Sequence, residues 1–170
     1  MSFPITSNFI RNRSIAAGQL WLPVCGGMVL GLVAVAADCI VFNGEILNKI
    51  LALGSPWSRL AVAYSAAVGE EILFRLFCVS LIVWLSIKFI THRDASFWIG
   101  IIVAACLFGA AHISRNAAEI TLPLVSRALV LNGAGGIFFG WVYWRRGIES
   151  AIIAHFAANV TIYLIFPFFI

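Results

Sequence analysis

The sequence predicts an all-α, polytopic bundle of about five transmembrane helices. Two features of composition and one of patterning carry that prediction. Of the 170 residues, 62% are apolar and 11% are charged, and the mean hydropathy is +1.03. A soluble domain is nearer half apolar and a quarter charged. The apolar residues fall into long runs separated by short polar connections, the pattern of membrane spans. Helices in such a protein pack against one another within lipid, without a water-driven core.

A short polar lead, residues 1–13, carries Arg11 and Arg13. The apolar segment 15–42 follows. Ala34-Val35-Ala36 resembles a signal-peptidase site, but the segment is longer than a signal core and contains Gln19 and Pro23. It is read as a retained first span, with Gly27 and Gly31 giving a small-xxx-small packing face. Residues 43–59 form a polar connection containing Asn-Gly and Ser-Pro. Ser55-Pro56 is a helix start, with proline at the first helical position. The second helix is expected over 56–91, about 50 Å at 1.5 Å per residue, so it must tilt, protrude or break. Gly69 is its expected weak point.

His92-Arg93-Asp94 is expected to close that helix. The third span is 97–113 and the fourth is 120–144, with Pro123 in its first turn and a Gly136/Gly140 GxxxG face. The fifth is 148–170. The chain divides into an N-terminal lead, first helix and loop (1–55) and a core (56–170). With the N-terminus cytoplasmic, inner loops hold Arg11, Arg13, Lys88, Arg93, Arg145 and Arg146, and outer loops hold Lys49, Arg59, Arg115 and Arg127. Six against four favours that orientation.

The net charge of +4 fits basic cytoplasmic loops. No basic run interleaved with aromatics suggests a nucleic-acid partner. The bilayer is the expected surrounding. Cys25, Cys39, Cys78 and Cys106 lack metal spacing and are read as small buried hydrophobes without disulfides.

Within the second helix, Glu70, Glu71 and Arg75 are three charges in six residues. A charge at bilayer depth costs a few kcal/mol or more unless it is paired or faces a polar cavity. Glu71 and Arg75 are spaced i,i+4 and can pair on one helix face. That leaves Glu70, about 100° round the helix, for another task. Phe108 and His112 share the i,i+4 spacing in the third span, and His155 and Asn159 share it in the fifth. Alone, each histidine would be read as a structural hydrogen-bonding group, and the Glu71–Arg75 pair as a brace. Together they place two carboxylates, an arginine, two histidines and an asparagine on three apolar helices. Carboxylate beside imidazole can activate water. A histidine with an amide side chain can donate to a developing oxyanion.

Glu70-Glu71-x-x-x-Arg75, Phe108-x-x-x-His112 and His155-x-x-x-Asn159, in that order, resemble the CPBP (CAAX protease and bacteriocin-processing, or Abi) intramembrane proteases, which include the type II CAAX prenyl endopeptidases. The resemblance covers about residues 63–163. It implies an intramembrane endopeptidase acting on a membrane-associated or lipid-modified, CAAX-type substrate, a peptide or prenylated protein. It implies Glu70 as the base that activates water and His112 as the group orienting that water. His155 and Asn159 would form the oxyanion site, Glu71 and Arg75 would support them, and Phe108 would line the pocket. Leu76 departs from the glycine common after the arginine, which bears on substrate more than on chemistry.

The family has also been described as metal-dependent, and Glu70, His112 and His155 would be the zinc ligands. HExxH is absent, and Asn159 beside His155 suits an oxyanion donor, so metal-free hydrolysis is expected. The rival functions are a non-catalytic bacteriocin-immunity or scaffold protein and a proton-coupled transporter. The complete polar set argues against the first and the lack of inverted repeats against the second. Straight helices pose a depth problem: counted from the inner face, His112 lies about 22 Å deep and His155 about 10 Å, with Glu70 deeper than either.

Overall fold

The computed structural model describes residues 20–42, 50–114 and 120–168, and no strand occurs among them. The basic lead, the Asn43-Gly44 turn, Lys49, Arg115 and the last two residues lie outside the described residues. Helix α1 is Trp21–Val41. Helix α2, Pro56–Glu71, runs without a break into a π-helical stretch, Ile72–Val79, and then into α3, Ser80–Ser86. Helix α4 is Arg93–Ser114. Helix α5, Leu122–Arg127, passes through a π turn, Ala128–Asn132, into α6, Gly133–Arg146. Helix α7, Ile148–Val160, ends in a third π turn, Thr161–Ile165.

Local signals set the boundaries. Ser55 caps α2, its hydroxyl accepting the Ser58 N–H at 3.2 Å, with Pro56 in the first turn. Thr121 caps α5 in the same way, with Pro123 behind it. Both prolines sit where an N–H has no intrahelical partner in any case. Gly147, at φ 94°, makes the tight reversal between α6 and α7 that a residue with a Cβ would resist. Two boundaries differ from expectation. The second helix stops at Ser86, and Arg93 opens α4 instead of closing its predecessor. Gly69 does not interrupt the helix: the departure from α geometry comes after it, at Ile72–Val79.

Among the described residues, four helices are long and apolar enough to cross a bilayer: Trp21–Val41, Arg93–Ile113, Leu122–Arg146 and Ile148–Ile165. The rod formed by residues 56–86 takes the place of the expected second span. Its apolar character is diluted by Glu70, Glu71 and Arg75. The four cysteines are free thiols but not buried as expected: Cys25, Cys39 and Cys106 are exposed and Cys78 is half-buried.

Helix α7 lies at the centre, packed against α1, α2 and α6, while α4 packs against α6. Small residues permit these contacts. A Cβ on Gly27 would lie 2.1 Å from the Ala154 carbonyl oxygen, and one on Gly31 would lie 2.7 Å from that of Ala158. The small-xxx-small face of α1 is thus the surface against α7. On α6, a Cβ on Gly136 would approach Ala105 of α4 to 2.8 Å. Ala63 and Ala67 of α2 and Ala154 and Ala158 of α7 are buried, which brings those two backbones close beside the charged residues. At one end of the bundle Lys88 Nζ sits 3.5 Å over the Trp84 ring and the Arg145 guanidinium 3.9 Å over Trp144. Basic groups capping aromatic rings in this way are typical of a membrane interface.

Candidate active site

Glu70 and Glu71 leave α2 in different directions, as their adjacent positions dictate. The Glu71 side chain is fully buried, whereas that of Glu70 is 13% exposed and lines a cavity. Glu71 Oε1 lies 3.0 Å from Arg75 Nη1 and accepts the His155 Nδ1–H at 2.8 Å. The arginine contact is an ion pair and not an aligned hydrogen bond, since Arg75 Nη1 and Glu71 Oε2 have no hydrogen-bond partner among the described residues. Arg75 Nη2 donates to the Gly136 carbonyl at 3.2 Å, and its guanidinium lies 4.7 Å from the centre of the Phe108 ring. The buried arginine therefore ties the π-helical stretch to α6 and α4.

Phe108 is one turn before His112 on α4. The His112 Nδ1–H donates to the Phe108 carbonyl at 2.8 Å, because a carbonyl oxygen can only accept. That bond turns His112 Nε2 toward Glu70, 3.9 Å from Oε1. His155 mirrors it from α7. Its Nδ1 is held by Glu71, and its Nε2 lies 3.8 Å from Glu70 Oε2. Phe139 stacks on the His155 ring at 4.5 Å and 12°, and Phe108 meets His112 edge-on at 4.7 Å. Asn159 Nδ2 donates to the Ala63 carbonyl at 3.1 Å, a bond the alanine faces make possible. Glu70, Phe108, His112, His155 and Asn159 all line one cavity of about 330 Å³. The depth gap counted along straight helices is closed in the folded bundle.

Residues 52–161 match the family described as type II CAAX prenyl endopeptidase Rce1-like. The chain belongs to that family. No curated protein and no solved structure matches it. The matched stretch of the Rce1-like chain opens just before α2 and closes at the end of α7, so it holds every polar residue described above. Helix α1 lies outside it, yet Leu30, Gly31 and Ala34 of that helix line the cavity of this Rce1-like core.

One buried pair in the Rce1-like bundle was not legible in the sequence. Arg127 Nε donates to Asp38 Oδ1, joining the end of α5 to α1. Arg127, expected in an outer loop, is instead a buried helical residue on the cavity wall. Asp38 is a single acid in a run that reads as uniformly apolar. Its signal was the cost of an unpaired carboxylate in a membrane span.

Glu70, His112 and His155 are the donors a zinc ion would use, and both histidines have Nδ1 tied back as ligating histidines do. Bonds of about 2.0–2.1 Å in a tetrahedral site put neighbouring donors about 3.4 Å apart. Here the carboxylate oxygens and Nε2 atoms are 3.8 and 3.9 Å apart. Among the described residues no group of three His, Cys, Asp or Glu is spaced to hold a metal ion. As placed, these residues do not fit zinc.

Proposed function

We propose that this chain is an intramembrane endopeptidase that hydrolyses a peptide bond of a membrane-associated or prenylated substrate with water activated by Glu70. The observation that carries the reading is the convergence of His112 Nε2 and His155 Nε2 on the two oxygens of Glu70, at 3.9 and 3.8 Å, on the wall of one cavity. Those gaps leave a water room to touch a carboxylate oxygen and an imidazole nitrogen together.

Glu70 accepts a proton from this water as its oxygen bonds to the scissile carbonyl carbon, and His112 orients the water through Nε2. The carbonyl electron pair moves onto oxygen. Asn159 Nδ2, which has a second N–H besides the one given to Ala63, donates to that oxyanion. His155 donates beside it from Nε2 in its doubly protonated form, with Nδ1–H on Glu71. Collapse breaks the C–N bond, and the proton held by Glu70 goes to the leaving amine. Glu71 and Arg75 hold His155 and the π-helical stretch in register. The reaction needs no metal in this scheme. The end that bears Lys88, Arg93, Arg145 and Arg146 is read as cytoplasmic, which puts the N-terminus on the same side.

Peptide release in liposomes tests the reading. The native chain should cleave a prenylated or unprenylated candidate peptide, and Glu70→Gln, nearly isosteric, should not. Equal release by both proteins would refute Glu70 as the base.

A further inference from the structure

The α7 wall of the cavity carries one more polar group than the proposed hydrolysis uses. His155, Asn159 and Tyr163 follow at four-residue steps, and all three line the cavity. Four residues are close to one helical turn, so the three form a stripe along α7 and into the π turn after it. Tyr163 is within electrostatic reach of Glu70 and Arg127, two other residues of the cavity wall. It lies just past the stretch 52–161 that matches the Rce1-like family.

The chain has three tyrosines, and the other two are a contrast. Tyr64 is exposed, while Tyr143 is buried with its hydroxyl 2.8 Å from that of Ser80. A tyrosine taken out of water usually finds such a partner. Tyr163 is half-buried, and its hydroxyl has no hydrogen-bond partner among the described residues. A ring that only filled the wall could be a phenylalanine, as Phe108 and Phe139 are on the same cavity.

The spacing of the stripe fits a peptide backbone. At 1.5 Å per residue, Asn159 and Tyr163 are about 6 Å apart along the helix. An extended peptide advances about 3.3 Å per residue and repeats every second residue, so carbonyls two residues apart face the same way at about 6–7 Å. With the scissile carbonyl on His155 and Asn159, the next carbonyl facing α7 falls opposite Tyr163. A carbonyl only accepts, and a phenol can donate.

We propose that Tyr163 is a substrate-positioning residue: its hydroxyl donates to the substrate carbonyl two residues from the scissile one, and this second contact fixes which bond is presented to Glu70. The inference rests on the protease reading above.

The test uses one prenylated peptide and a set in which a trans-alkene replaces its amides one at a time. Each alkene removes one carbonyl, together with the N–H that faces the other way. Release is measured with the native chain and with Tyr163→Phe, and equilibrium binding with Glu70→Gln protein, with and without Tyr163→Phe. On the parent peptide Tyr163→Phe should raise KM and Kd about 2–10-fold, the worth of one hydrogen bond, with kcat little changed. Fragment masses should show added cuts two residues from the native bond. The alkene peptide altered two residues from the scissile carbonyl, on one side of it, should bind equally well with and without Tyr163→Phe. Melting should be unchanged, because the hydroxyl leaves no partner behind in the fold. A lower melting temperature would mean that the hydroxyl is bonded within the fold, and overturns the inference. An equal loss on every peptide also overturns it. Release of the parent with unchanged KM and Kd overturns it and leaves the protease standing. Cuts confined to the native bond overturn the role in fixing register. Loss of binding that one alkene cancels, without release from any peptide, keeps the contact and overturns the protease. Absence of both binding and release overturns both readings.

Discussion

Removing Arg75 should unfold the site before it slows the chemistry. In Arg75→Ala the Glu71 carboxylate stays fully buried with His155 as its remaining named partner, and the Gly136 carbonyl loses its donor at 3.2 Å. Loss of one member of a buried ion pair costs about 3–5 kcal/mol, because the other charge is uncompensated. The guanidinium also lies over Phe108, 4.7 Å from the ring centre, a contact worth about 0.5–2 kcal/mol when desolvated. For a chain of this size each kcal/mol shifts the melting temperature by about 2–4 °C. The lower pair figure alone predicts a loss of about 6–12 °C in detergent, with a lower folded yield. Arg75→Met combined with Glu71→Gln removes both charges, and should recover most of the stability but not the activity. Thermal unfolding followed by tryptophan fluorescence and by aggregation reads both variants. Native-like melting of Arg75→Ala would refute the reasoning, because the pair would then be solvated.

His155→Ala should retain the fold and lower turnover by about 100–1000-fold, the usual cost of losing an oxyanion donor, as measured by single-turnover peptide release. Activity should survive thorough chelation, with no stoichiometric zinc in the purified protein. One zinc per chain, lost with activity in both His112→Ala and His155→Ala, would make Glu70 a ligand and the enzyme a metalloprotease. Gly31→Leu should separate α1 from α7, since even a Cβ there would meet the Ala158 carbonyl oxygen at 2.7 Å. It should lower melting temperature and cleavage together, and unchanged melting would show that the two helices are not in contact.

What was legible in the sequence was local. Glu71–Arg75, Phe108–His112 and His155–Asn159 are each one helical turn apart, so backbone geometry alone puts each pair on one face. The helix start at Ser55-Pro56 was equally open to reading, because a cap and a proline act within three residues. The Glu71–His155 hydrogen bond was not legible, as it joins residues 84 apart in the chain. Neither was Arg127–Asp38, at a separation of 89. Hydropathy gives the number of spans but not which faces meet. Depth counting failed in part because it carried the second helix on to residue 91, whereas it stops at Ser86, and because Ile72–Val79, between Glu70 and that end, is π-helical.

That geometry bears on which changes in length the gene can tolerate. A π turn is an α-helix holding a surplus residue, commonly kept where a site needs it. Deleting one residue from Ile72–Val79 would let the helix relax to the ordinary ladder, and the side chains beyond it would keep their facing. What would turn them is a return to α geometry at unchanged length: everything from there to Ser86 would then rotate by about 100° relative to Glu70. Ser80, whose hydroxyl lies 2.8 Å from that of Tyr143 on α6, would swing off its partner. A one-codon deletion between Leu76 and Val79 should therefore be better tolerated than one in the α-helical part of the rod, where no surplus residue absorbs it.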